Sequence, residues 1–342
     1  MVATPRRLDE MMTWFWHDHF AVQSSVVRSG RLMADHINLL RTHALGNFRA
    51  MIREVTTNAA MLIYLDGAKS TSQAPNENFG RELLELYTLG IGNYTEADVR
   101  SAAVALTGWQ VLLRQGARPA FNARLHDPRP QTLLGKSVND VDSVVNAAVD
   151  HPATATFIAG KIAAFFLGPD VDSALVNGFA ATFRAGNFEL RPVVRAVLQA
   201  GLDGKGGSIV QSPLVWWVAT RRATAIAPDP RTVVRYLDSA GQVPGNPPNV
   251  GGWPGMTAWL GASPTAMRAT LASLAAELVA PNSPLLAAAA KGDFARVATL
   301  LNVANGFVPA TTAAIKNLGS CGVRPGVGAL TLALASPDVL IG

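Results

Sequence analysis

Pro75-Asn-Glu-Asn-Phe-Gly-Arg-Glu-Leu-Leu-Glu-Leu-Tyr-Thr-Leu-Gly90, continuing through Gly92-Asn-Tyr-Thr-Glu-Ala-Asp-Val99 to Thr107-Gly-Trp109, decides the fold class of this chain. Asn76 or Asn78 caps a helix, because a short side-chain oxygen accepts an otherwise unpaired N–H of the first turn. Phe79, Leu83, Leu86 and Tyr87 recur at spacings of three and four, which marks one apolar helical face. Gly90 or Gly92 ends that helix where a left-handed residue is wanted. Thr95 opens the next helix with Asp98 three positions on, a capping box that uses Asp in place of Glu or Gln. Val99, Ala102, Ala103 and Leu106 line this second helix, and Gly108 stops it. The unit is a helix–loop–helix.

Outward from it, the same punctuation gives more helices. Residues 8–20 and 31–45 form two, the second ended by Gly46, and Asn47 caps a third whose apolar face is Phe48, Met51, Ile52 and Val55. Beyond the signature, residues 109–135 are rich in Arg, Pro and Gly and suit a short hairpin ending near Thr132-Leu-Leu-Gly135. Helices resume over 141–149, 153–166, 171–184 and 192–200. Ser212-Pro213 is a capping serine followed by proline at the first helical position. Helices follow over 232–241, 293–302 and 328–335, after a glycine, proline and tryptophan loop over 245–264. The expected fold is all-α, a multi-helix orthogonal or bundle-like domain with an irregular or β-hairpin insertion near 109–135. One domain over 1–342 is expected, with sub-regions 1–108, 109–139 and 140–342.

Composition narrows the classes. A chain of 342 residues, 49% hydrophobic and only 15% charged, buries a large core and is not disordered. Its net charge of +5 is spread without a basic run beyond Arg6-Arg7 and Arg221-Arg222, so nucleic acid is not the expected partner. Cys321 is the only cysteine, which excludes an internal disulfide and a thiolate metal cluster and leaves it as a packing residue. No apolar run reaches membrane-spanning length. The basic start Met1-Val-Ala-Thr-Pro-Arg-Arg7 leads into Asp9 and Glu10 and not into an apolar signal core.

Chemistry is thinly signalled. Glu82 and Glu85 lie three apart, so both carboxylates leave one side of an α-helix, and Arg81 lies four before Glu85 and can pair with it. The set reads either as an acid–base or metal-binding pair or as a helix pinned by Arg–Glu contacts. His17 and His19 flank Asp18. On a strand they would chelate; on a helix beside Trp14, Phe15 and Trp16 they face nearly opposite ways. His36 and His43, seven apart, share a helical face. A divalent metal is therefore sought on His17 or His19, His43 and Glu82, the alternative being histidines buried in an aromatic core. Trp253 and Trp259 are the candidates for stacking on a sugar or anchoring a partner, unless they fold back beneath their loop. Nucleophile elbows, phosphate loops and dinucleotide fingerprints are absent from the sequence.

The signature, with Ala105-Leu-Thr-Gly-Trp109, resembles that of the bacterial "domain of unknown function 1800" family. Phe15-Trp-His-Asp-His-Phe20, His43-Ala-Leu-Gly-Asn-Phe48, Tyr64-Leu-Asp-Gly67, His126-Asp-Pro128, Pro247-Pro-Asn-Val-Gly-Gly-Trp-Pro254 and Ala335-Ser-Pro337 agree in order, so the likeness spans nearly the whole chain. It implies a helical accessory or binding protein, often exported to the periplasm or cell envelope, that acts with a sulfatase-like neighbour. The rival is a metal-dependent hydrolase in which Arg81 orients an anionic substrate. The resemblance also implies further residues ahead of the Phe-Trp-His segment, so the chain begins inside the pattern. A lysine expected just before Ser212 is replaced by Ile209-Val-Gln211.

Overall fold

Caps decide where the helices begin. Asn47, Asn58, Asn76, Thr95, Asp140, Asp172, Ser212, Asp229, Ser283 and Asp293 each accept a first-turn N–H with the side chain. At Thr95 the box is closed in both directions, since Asp98 also accepts the Thr95 N–H. The computed structural model describes residues 1–112, 116–318 and 324–341, and Cys321 lies outside the described residues. Among the described residues the fold is all-α apart from two small antiparallel hairpins. It divides into two compact units, one of Arg6–Gly207 with Gly245–Trp253, the other of Met1–Pro5, Ser208–Pro244 and Pro254–Gly342.

In the first unit, helices Arg7–His19, Gly30–His43, Phe48–Thr56, Val141–Val149, Pro152–Leu167 and Leu190–Leu202 enclose one apolar core. Trp16, Phe20, Phe48, Met51, Ile52 and Tyr87 are all sealed from solvent there. Each of the four residues assigned to the apolar face of the Asn47-capped helix is buried, as its 3.6-residue period requires. The Trp16 indole N–H donates to the Ala44 carbonyl at 3.0 Å, so the largest core side chain has no orphaned donor.

The irregular insertion holds two hairpins instead of one. Trp109–Leu112 pairs with Arg118–Phe121, and Gln131–Leu133 with Lys136–Val138. The second turns at Leu134-Gly135, both at positive φ (52° and 75°), the geometry that matches strand twist in a two-residue loop. The predicted hairpin thus straddles Gly135 and does not end at it.

The second unit packs helices Pro213–Thr224, Ala262–Leu278 and Val327–Ala335 around Trp216, Leu271, Ala275 and Leu330. Alanine along two of these helices lets their backbones approach. The Trp216 indole donates to the Leu334 carbonyl at 3.1 Å, so Trp216-Trp217 pack on their own unit. Among the described residues no helix is long and apolar enough to cross a membrane.

Candidate functional site

The signature helix is built in two pieces with different winding. Glu77–Glu82 is α-helical and follows Asn76, whose side chain accepts the Asn78 N–H at 2.9 Å. Gly80 lies against the next helix, Glu96–Ala105: a Cβ there would sit 3.0 Å from the Val99 carbonyl oxygen and 3.1 Å from the Ala103 nitrogen. Glycine is what lets the two backbones meet. From Leu83 to Leu89 the helix widens to a π-helix, and the Thr88 hydroxyl donates to the Leu83 carbonyl five residues back at 2.6 Å. Such widenings recur at functional sites because they re-aim side chains.

The widening overturns the Arg81–Glu85 pairing expected from α-helical spacing. Arg81 instead grips Glu96 of the neighbouring helix with two parallel bonds of 2.7 Å. Glu85 accepts a hydrogen bond from the Tyr94 hydroxyl, and burial together with that bond pushes the phenol up to about 12. Glu82 is half-buried, and burial first, then the Glu85 charge, raises its carboxyl above the usual range. Glu85 is engaged by Tyr94, whereas Glu82 interacts with Glu85 through charge alone.

The histidines are fixed by single bonds. His17 accepts the Gly245 N–H on Nε2 at 2.9 Å, which places the proton of the neutral ring on Nδ1. His19 donates from Nε2 to the Tyr87 carbonyl at 3.1 Å, taking up an oxygen near the end of the π-helix. His36 donates likewise to the Phe20 carbonyl at 3.2 Å. Burial drives His17 down to about 3 and His36 to about 4, and pushes His19 well below the usual imidazole range. His43 lies elsewhere, 3.2 Å from Glu54 near the surface. The set His17, His19, His43 and Glu82 does not converge: among the described residues no three His, Cys, Asp or Glu side chains are placed to hold a metal ion. The helical orientation of His17 and His19, opposed across one helix, is the physical reason.

What the signature helix and the helix Pro152–Leu167 do build is a groove of about 840 Å³. The π-helix supplies Glu85, Leu86 and Leu89 as one wall, Gly90-Ile91 and Asn93 form the lip, and His151 to Lys161 form the other wall. Gly90 is indispensable to it: its φ of 81° and ψ of 164° belong to a region only glycine enters, and a Cβ would lie 2.9 Å from the Phe157 ring. Phe157 also lies 6.3 Å from the His19 ring, and the Lys161 ammonium sits 5.3 Å from the Phe157 centroid. Lys161 is half-buried and makes no hydrogen bond or ion pair among the described residues. Burial lowers its amine, and the charge of Asp18 opposes that. Asp18 is itself raised by burial, although its Oδ1 accepts the Trp253 N–H at 2.7 Å. His151 caps its helix by accepting the Ala153 N–H on Nδ1 at 3.3 Å, so the neutral ring keeps its proton on Nε2.

The tryptophan loop is tied down, not displayed. Trp253 stacks on Trp14 with centroids 4.8 Å apart and is only 8% exposed; Trp259, in the second unit, is 5% exposed. Neither indole face is offered to a sugar or partner. Gln211, which stands in place of the expected lysine, is held at its carbonyl by the buried Arg268 at 2.8 Å. Lys161, His151 and Phe157 escaped sequence reasoning. One signal for Lys161 was legible, since it is the lone charged residue of the otherwise apolar helix Pro152–Leu167.

Comparison with known proteins adds one relation. The chain belongs to the family described as "Protein of unknown function (DUF1800)", which matches residues 1–341. No curated protein and no solved structure matches the chain.

Proposed function

We propose that the protein is a helical accessory or binding protein of the bacterial cell envelope, acting with a sulfatase-like partner, with the groove along the π-helix as its binding element. The observation that carries this reading is how the polar groups of the signature are used. Arg81 is held by Glu96, Glu85 by Tyr94, and Asp98 by Thr95 and the Leu134 N–H. These bonds shape and brace a concave surface, and they engage Arg81, Glu85 and Asp98, which a proton-transfer site would need to keep free. Ile91, 80% exposed at the lip, adds an apolar contact of the kind binding surfaces use. The envelope setting and the partner follow from the family resemblance.

Co-expression with a sulfatase-like protein encoded beside it tests the reading. Co-purification in fixed ratio is expected, and Ile91→Asp should weaken it while leaving the circular dichroism spectrum unchanged. A monomer with hydrolytic turnover of its own would overturn the proposal. The metal-dependent hydrolase alternative would need His17 or His19, His43, Glu82 and Glu85 around one ion, and the described residues gather no such group. One equivalent of zinc, iron or manganese retained after metal-supplemented growth would favour it instead.

A further inference from the structure

We infer that the groove between the π-helix Leu83–Leu89 and the helix Pro152–Leu167 takes a monoanionic organic ligand, its acid group on Lys161 and its apolar body along Leu86, Leu89 and Phe157. The inference rests on the reading of the protein as a binding protein and names the chemistry of what it binds. Three observations converge.

The first is an unanswered cation. Every other lysine or arginine in the first unit's described residues is either exposed or hydrogen-bonded, whereas Lys161 is half-buried with no acceptor. Its compensation is a ring face at 5.3 Å and the Asp18 carboxylate, which lies beyond ion-pair distance. Keeping an ammonium partly out of water without a partner costs free energy, and an incoming anion recovers it. The second observation is a further donor on the same groove. The cap bond to Ala153 occupies Nδ1 of His151 and leaves its Nε2 on the groove without a hydrogen bond among the described residues. The third is the limit on charge: Glu85 lines the same groove and repels a dianion more strongly than a monoanion, so a single negative charge suits the site.

The apolar share of the lining sets the rest of the ligand. Leu86, Leu89, Ile91, Pro152 and Phe157 present carbon to the groove, and about 840 Å³ suits a small molecule. Carboxylates and sulfate monoesters both satisfy this chemistry.

Titration calorimetry of the full chain with hexanoate, hexyl sulfate, hexyl phosphate and hexanol tests it. Hexanoate or hexyl sulfate should bind about tenfold or more tightly than hexanol, the gain of one charge-assisted bond. Whichever of the two binds tighter identifies the acid group. Hexyl phosphate, a dianion near neutral pH, should show no advantage over them. Lys161→Gln should erase the preference over hexanol, and Lys161→Arg should retain most of it. Thr156→Trp, placed on the exposed wall of the groove, should weaken every probe. Equal binding of hexanoate, hexyl sulfate and hexanol, no binding by any, or a preference that survives Lys161→Gln overturns the inference. So does Thr156→Trp without effect. Each of these results leaves co-purification with the partner untouched, so the anion inference can fail while the accessory reading stands.

Discussion

Acidification from about pH 7.5 to about pH 5 should remove a large part of the first unit's stability, through three buried histidines. His17, His19 and His36 are all held neutral in the folded chain, with His17 lowered to about 3 and His36 to about 4 by burial. In the unfolded chain each returns to an ordinary value near 6.5. The folded values are the lower ones, so between them the unfolded state binds more protons and stability falls as pH falls. The contribution is complete above about pH 7 and declines progressively below 6.5. At about pH 5 His17 and His36 each cost about 2 kcal/mol, from about 1.5 units at about 1.4 kcal/mol per unit, about 4 kcal/mol together, and His19 adds to the loss in the same direction. Domains of this kind are stable by about 5–15 kcal/mol, so the loss approaches the whole margin. Asp18 and Glu82 act in the opposite sense, because their folded carboxyls are raised and take up protons in the folded state first. They trim the loss. Guanidinium unfolding at several pH values, with exchange protection of Arg7–His19 as the reporter, measures the slope. His19→Gln keeps a donor for the Tyr87 carbonyl but cannot titrate, so it should make the slope with pH shallower. A stability that stays flat from about pH 7.5 to about pH 5, or a His19→Gln slope equal to the wild type, would refute the reasoning.

Three further outcomes follow from single contacts. Gly90→Ala forces a side chain into glycine-only backbone space against Phe157 and should cost about 2–4 kcal/mol by denaturant unfolding; a cost under about 1 kcal/mol would contradict the geometry of the groove. Trp16→Phe removes the bond to the Ala44 carbonyl and leaves a small void, for a loss of about 2–3 kcal/mol. Arg81→Ala breaks a largely solvated ion pair with Glu96 and a contact with Tyr94, so the thermal midpoint should move little; a large drop would mean that Arg81 anchors more than these two partners.

Much of the architecture could be read locally. The Ser212-Pro213 start, the Asn47 and Asn76 caps and the Thr95–Asp98 box are short-range devices, and the structure forms each of them. The helix Val141–Val149 falls on its predicted bounds for the same reason. The π-helix was not legible, because its residues fit an ordinary apolar face, and the elements it packs against, Val141–Val149 and Pro152–Leu167, lie far along the chain. That shift separated Arg81 from Glu85 and turned an expected intrahelical pair into contacts with Glu96 and Tyr94.

Sequence by itself determined the helical class, the caps, the glycine stops and the family to which the chain belongs, since these depend on residues within a few positions of one another. Only the tertiary structure decided what the titratable groups do. It separated His17, His19, His43 and Glu82, folded Trp253 onto Trp14, and joined residues near 90, 151 and 161 around one groove. Burial and charge compensation are sums over neighbours distant in the chain, and a lone lysine in an apolar helix acquires meaning only when its neighbours are known.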